Sequence, residues 1–199
     1  MKSNYSRTNL IANYLRELKL SDKIKSFFKN RTILVTGGAG AIGSNLVITL
    51  SNLVGDNGKI IVLDNLSAIK GEEPIDLPSL NNMMFVKGDI RNDIDLKRVF
   101  REKPTIIYHL AAFFANQNSV DYPEKSADVD ISGIIKLLDI SQFTGVDRFI
   151  YASSGCSIYG SYGKMPLKED FISMHLTTPY QINKMAGEMY CNFYYHHYG

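Results

Sequence analysis

Ile33-Leu34-Val35-Thr36 runs straight into Gly37-Gly38-Ala39-Gly40-Ala41-Ile42-Gly43 and then into a helical run, Ser44 to Leu50. A strand, a glycine turn and a helix in that order leave few alternatives to a βαβ unit opening a parallel sheet. Glycines 37, 40 and 43 follow G-x-x-G-x-x-G spacing, not the older G-x-G-x-x-G fingerprint, but the physical demands are alike. Gly37 permits a sharp turn, Gly40 lets backbone approach a ligand, and Gly43 lets the helix lie close to the sheet. The free N–H groups of Ala41, Ile42 and Gly43 and the positive end of the helix dipole then suit an anion such as a pyrophosphate.

After Arg31 short β-branched runs alternate with longer helical segments, the rhythm of a doubly wound α/β fold. Strands are predicted at 33–36, 59–63, 83–87, 105–109 and 148–151. Helices are predicted at 41–54, 93–101, 127–143 and from Pro179 to about His197. Residues 65–82, with Gly71, Pro74 and Pro78, read as a long irregular connection. The chain is thus read as one such domain, 31–199, preceded by a helical extension, 1–30. Within the extension, Leu10, Ile11, Tyr14, Leu15 and Leu18, then Ile24, Phe27 and Phe28, fit two short amphipathic helices, with Ser21-Asp22 opening the second.

At 199 residues and 45% hydrophobic, the chain can bury one sizeable core. Its net charge of +2 hides an asymmetry: residues 1–31 hold eight of the 22 basic side chains against two of the 20 acidic ones. The basic excess therefore belongs to the extension, which packs on the domain or faces a membrane surface or partner. No motif that reads a nucleic acid accompanies it, so no nucleic acid is expected as a partner. Neither a twenty-residue apolar run nor a signal-peptide pattern is present, so no membrane span and a cytoplasmic location are expected. Cys156 and Cys191 are expected to be reduced, and His196-His197 lacks the neighbours a metal site needs; the metal expectation is none.

Asp64 ends the second strand about twenty residues beyond the last glycine, where a carboxylate accepts hydrogen bonds from an adenosine ribose diol. It repels a 2′-phosphate and no Arg adjoins it, which favours NAD over NADP as cofactor. Gly88-Asp89-Ile90 brings a second carboxylate to the same rim, near adenine. Thr178-Pro179 is a sound helix start, with Thr178 as N-cap and proline at the first helical position. Tyr180 and Lys184 then share a face, so the ammonium favours phenolate and lowers a phenol pKa of about 10. Such a phenol is a usable base at neutral pH. Alone, Tyr-x-x-x-Lys is common; after a dinucleotide fold it is informative.

From about Arg31 to Gly199 the chain resembles the extended short-chain dehydrogenases, in particular the NAD-dependent epimerase/dehydratase group that includes UDP-glucose 4-epimerase. The resemblance rests on residues 36–43, Leu63-Asp64-Asn65-Leu66, Gly88-Asp89-Ile90, His109-Leu110-Ala111-Ala112, Ser153-Ser154-Gly155-Cys156-Ser157-Ile158-Tyr159-Gly160 and Tyr180-Gln181-Ile182-Asn183-Lys184. It implies that Asp64 and Asn65 face the adenosine ribose, Asp89 and Ile90 the adenine, and Leu110, Ala111 and Ala112 the path to the nicotinamide. Lys184 also binds the nicotinamide ribose on this reading. It implies further a nucleotide-sugar substrate whose hydroxyl proton passes to Tyr180, and a homodimer formed through the helices at 127–143 and 179–197.

The position usually held by Ser or Thr falls on Gly155, so Ser154 is the candidate hydroxyl, with Ser153, Cys156 and Ser157 as neighbouring substitutes. Sugar dehydratases place Asp-Glu after that hydroxyl; Gly155-Cys156 has neither, so epimerisation is preferred and dehydration is the alternative. Asp130, three before Gly133, replaces a common Asn. Relatives continue beyond the Tyr/Lys helix into a small substrate domain, so the expectation is either a chain truncated before that domain or a noncatalytic NAD-binding module.

Overall fold

The computed structural model describes residues 6–68, 77–113, 116–155, 159–160 and 163–199. Five parallel strands form one sheet in the order β3-β2-β1-β4-β5: β1 Thr32–Thr36, β2 Lys59–Asp64, β3 Met83–Lys87, β4 Ile106–His109 and β5 Arg148–Tyr151. The register pairs Thr36 with Leu63 on one side and with His109 on the other. All five predicted strands form, each within one residue of its predicted ends.

The strands are nearly continuous apolar runs because both faces of the sheet are covered. Ile33, Val35, Ile60, Val62 and Ile106 meet Val47, Leu50 and Val54 of α3 (Ala41–Val54) on one face. Leu34, Ile61, Leu63, Val86 and Ile107 meet Leu96, Val99 and Phe100 of α4 (Asp93–Phe100) on the other, with Leu137. Burial of each such side chain contributes about 2 kcal/mol.

The helix predicted at 127–143 starts earlier and is not uniform. It comprises α6 Pro123–Ala127, a π-helical turn Asp128–Ser132 and α7 Gly133–Ser141. Pro123 at the first helical position explains the earlier start. A further short helix, α5 Asn116–Asp121, was not foreseen. The last helix, α8, covers Pro179–Tyr198. In the connection at 65–82, residues 69–76 lie outside the described part.

Two N-terminal helices, α1 Arg7–Glu17 and α2 Asp22–Phe28, begin at the side-chain caps Ser6 and Ser21. Both lie against α3, and Arg7 Nη1 donates to Ser44 Oγ at 3.1 Å. Leu10 and Tyr14 stay exposed on the outer side of α1. Among the described residues no helix is long and apolar enough to cross a membrane.

Candidate active site

The chain order reverses beside β1, since β2 and β3 lie on one side of it and β4 and β5 on the other. A crevice therefore opens at the carboxyl ends of β1 and β4, where open α/β sheets bind ligands. A cavity of about 790 Å³ occupies that place. All of the residues expected to hold a dinucleotide line it: Gly37, Gly40, Ala41, Ile42, Gly43, Asp64, Asn65, Asp89, Ile90, Leu110, Ala111, Ala112, Tyr180 and Lys184.

At the glycine-turn end of the cavity Gly37 has φ +70° and packs so closely that a β-carbon there would stand 2.6 Å from Ala111 N. One on Gly43 would stand 2.3 Å from Gly37 O. The helix α3 begins at Gly40, which offers its first turn no side-chain cap. Orphan N–H groups beside a glycine-lined hollow are what a pyrophosphate requires.

Along the rim Asp64 is held at both oxygens: Ala39 N–H donates to Oδ2 at 2.9 Å and Leu66 N–H to Oδ1 at 2.8 Å. Each oxygen keeps a lone pair for a diol. Asn65 Nδ2 donates to Asp89 Oδ2 at 2.9 Å. Arg91, which sequence reasoning missed, grips Asp89 with Nε at 2.9 Å and Nη2 at 2.7 Å, while its Nη1 reaches Asp128 Oδ2 at 2.6 Å. This fork holds the Asp89 carboxyl well below the usual carboxylate range, ahead of the opposing effect of burial. Its only signal in the sequence was a guanidinium two residues after Asp89 in a turn. Replacing Arg91 by Met removes all three bonds and leaves the Asp89 carboxylate free to turn from the cavity, and NAD affinity measured by calorimetry is expected to fall about tenfold, equivalent to one charge-assisted bond to the cofactor.

At the other end Thr178 caps α8 in a full capping box with Gln181, and Tyr180 N–H donates to Ser119 Oγ of α5 at 3.0 Å. Lys184, 3% exposed, donates from Nζ to Ala152 O at 3.0 Å. Its Nζ lies 4.8 Å from the ring centre of Tyr151 and 5.8 Å from that of Tyr180. Tyr151 supports α8 from below: a β-carbon on Gly187 would stand 2.3 Å from the Tyr151 hydroxyl.

Of the candidate hydroxyls, Ser153 lines the cavity and its buried Oγ has no hydrogen-bond partner. Ser154, the favoured candidate, is half-buried next to it and is absent from the cavity lining. Gly155 is exposed, while Cys156 and Ser157 lie outside the described residues. Beneath the site His109, 1% exposed, shares a 2.7 Å hydrogen bond between Nδ1 and Thr36 Oγ1, which also accepts from Ala111 N–H at 3.3 Å. Burial first, then the Lys184 charge, pushes the imidazole down to about 3, so it is neutral.

Residues 33–199 match the model of the NAD dependent epimerase/dehydratase family. The UDP-glucose 4-epimerase of Mycolicibacterium smegmatis is 38% identical over 162 residues, 81% of this chain and 50% of that protein. An epimerase structure from Methanothermobacter thermautotrophicus superposes with a TM-score of 0.82 at 47% identity, covering 89% of this chain and 51% of that one. The Thermus thermophilus UDP-glucose 4-epimerase in complex with NAD gives 0.70 at 34%, covering 84% and 52%. The chain spans about half the length of the curated relatives it matches.

Proposed function

We propose, on the premise that this chain belongs to the NAD-dependent epimerase/dehydratase family, that it supplies the NAD-binding and catalytic part of a nucleotide-sugar epimerase. The observation that carries this reading is the continuity of one cavity, from the glycine turn past Asp64 and Asp89 to Tyr180 and Lys184. That length suits a dinucleotide laid across the switch point with its nicotinamide end beside the phenol.

NAD fits the residues present. Gly37, Gly40 and the start of α3 hold the diphosphate, Asp64 and Asn65 the adenosine ribose, Asp89 and Ile90 the adenine, and Lys184 the nicotinamide ribose. When bound, NAD accepts a hydride from a sugar carbon and gives it back. Tyr180 takes the hydroxyl proton from that carbon, favoured as phenolate by the ammonium of Lys184. A serine hydroxyl, Ser154 or the cavity-lining Ser153, steadies the carbonyl oxygen that results, where charge develops in the transition state. Hydride given back to the opposite face of the sugar carbon would yield the epimer. Epimerisation is favoured over dehydration because Gly155-Cys156 lacks the acid and base that water loss needs. Pairing of two copies through α7 and α8 is part of the proposal; on α8, Met189 and Phe193 are exposed and Met185 is buried.

Calorimetry with NAD, followed by absorbance at the reduced-nicotinamide band on addition of UDP-, GDP-, CDP- and dTDP-sugars, tests this reading. NAD is expected to bind at least about tenfold more tightly than NADP, with Asp64→Ala narrowing the difference, because a carboxylate repels the extra phosphate. Binding of NAD with no spectral change for any sugar supports a noncatalytic dinucleotide-binding module instead. No binding of NAD removes both readings.

A further inference from the structure

In the proposed mechanism Lys184 acts as an ammonium, and burying a cation is costly without a compensating charge. The groups that face it come from four elements. Tyr151 of β5 lies under the ammonium and Tyr180 beside it on α8. His109 of β4 is neutral, as already described. Burial pushes the Tyr151 phenol up, with Asp130, Cys191, Tyr180 and Glu188 adding to the effect, so it too is uncharged. Asp130, 2% exposed in the π-helical turn that packs against α8, is the carboxylate whose charge acts on Lys184.

Asp130 accepts at both carboxylate oxygens. Phe113 N–H donates to Oδ1 at 2.7 Å, and Ser126 Oγ donates to Oδ2 at 3.1 Å. The direction of the second bond is set from outside, because Asn183 Nδ2 donates to Ser126 Oγ at 2.9 Å and leaves the serine proton for Asp130. A chain of donors thus runs from Asn183 through Ser126 to the carboxylate, and a second donor arrives from the loop after β4. An arrangement that only donates to a carboxyl group favours its ionised form. Asn183 precedes Lys184 on α8 and Phe113 lines the cavity, so one carboxylate ties together the lysine helix, the π turn and the cavity wall.

We infer that Asp130 is ionised in the folded chain and is the positioning counter-charge of Lys184, holding the ammonium protonated beneath Tyr180. This rests on the role assigned to Tyr180 and Lys184 above, and adds to it how a cation survives in that place. Burial raises the Asp130 carboxyl, and the Phe113 N–H, Lys184 and Ser126 oppose it. Burial likewise lowers Lys184, and Asp130 opposes it.

Carbon-detected NMR titration of the cofactor-free chain, with labelled lysine side-chain and aspartate carboxyl carbons, tests the pair directly. Asp130 is expected to be ionised at neutral pH. Asp130→Asn, which keeps the shape and an oxygen for the Phe113 N–H, is expected to lower the Lys184 midpoint by about half a pH unit or more. By linkage, Lys184→Met is expected to raise the Asp130 midpoint by a similar amount, a second measurement should the first variant fail to fold. Asp130→Glu should restore part of the lysine shift, which a purely structural role would not. A protonated Asp130 at neutral pH, or midpoints moving by less than that in both variants, overturns the inference. Because no dinucleotide or sugar is present, either result stands apart from the NAD and sugar assays.

Discussion

Tyr180→Phe is expected to leave NAD bound with affinity within about threefold of the native chain while sugar-dependent reduction of the nicotinamide falls about a thousandfold or more. The substitution deletes one oxygen. The ring, whose centre lies 5.8 Å from Lys184 Nζ, stays as packing, and Tyr180 N–H still meets Ser119. The helix start is secured separately by Thr178 and Gln181, so the variant should fold. What disappears is the acceptor for the sugar proton, and a hydride cannot leave a carbon whose hydroxyl keeps its proton. Stopped-flow absorbance with a nucleotide sugar, beside calorimetry with NAD, separates the two effects. Undiminished reduction would reject Tyr180 as the base.

Gly43→Val is the second large effect, and it acts at the opposite end. A β-carbon at this position would lie 2.3 Å from Gly37 O and 2.7 Å from the Gly38 Cα, both backbone atoms that cannot swing away. The start of α3 must move off the sheet, and with it the N–H groups proposed to receive the diphosphate. A loss of about 3 kcal/mol is expected, a fall in melting temperature of roughly 10 °C, together with loss of measurable NAD binding. Gly40→Ala is the control. Its added methyl meets nothing closer than Gly37 O at 3.3 Å, so a milder change is expected. Thermal denaturation and calorimetry on both variants decide the matter; a Gly43→Val chain with native NAD affinity would show that the close approach is not needed.

The parts of the fold legible in the sequence were those set by local pattern. Ile33 to Thr36 and Lys59 to Leu63 read as strands because both faces are buried, and Thr178-Pro179 read as a helix start because cap chemistry is local. The glycine turn and Asp64 were legible for the same reason: the spacing itself carries the backbone requirement. Features created by contact between distant segments were not. Arg91 bridges Asp89 and Asp128, 37 residues apart from the latter, and nothing near residue 91 announces Asp128. The π turn carries Asp130, whose bonds from Phe113 and Ser126 no helical periodicity encodes. Ser153 and Ser154 are adjacent in the sequence and chemically identical, so only packing distinguishes the one that lines the cavity.

Gly187 lies two helical turns beyond Tyr180, and the tip of Tyr151 occupies the space its side chain would fill. Glycine there acts as a spacer of zero thickness between the last helix and the sheet. Any heavier residue, alanine included, must displace either the Tyr151 ring or the helix. The seat of the whole tyrosine-bearing helix on the sheet is therefore calibrated by an atom that is missing, at a position outside the cavity lining.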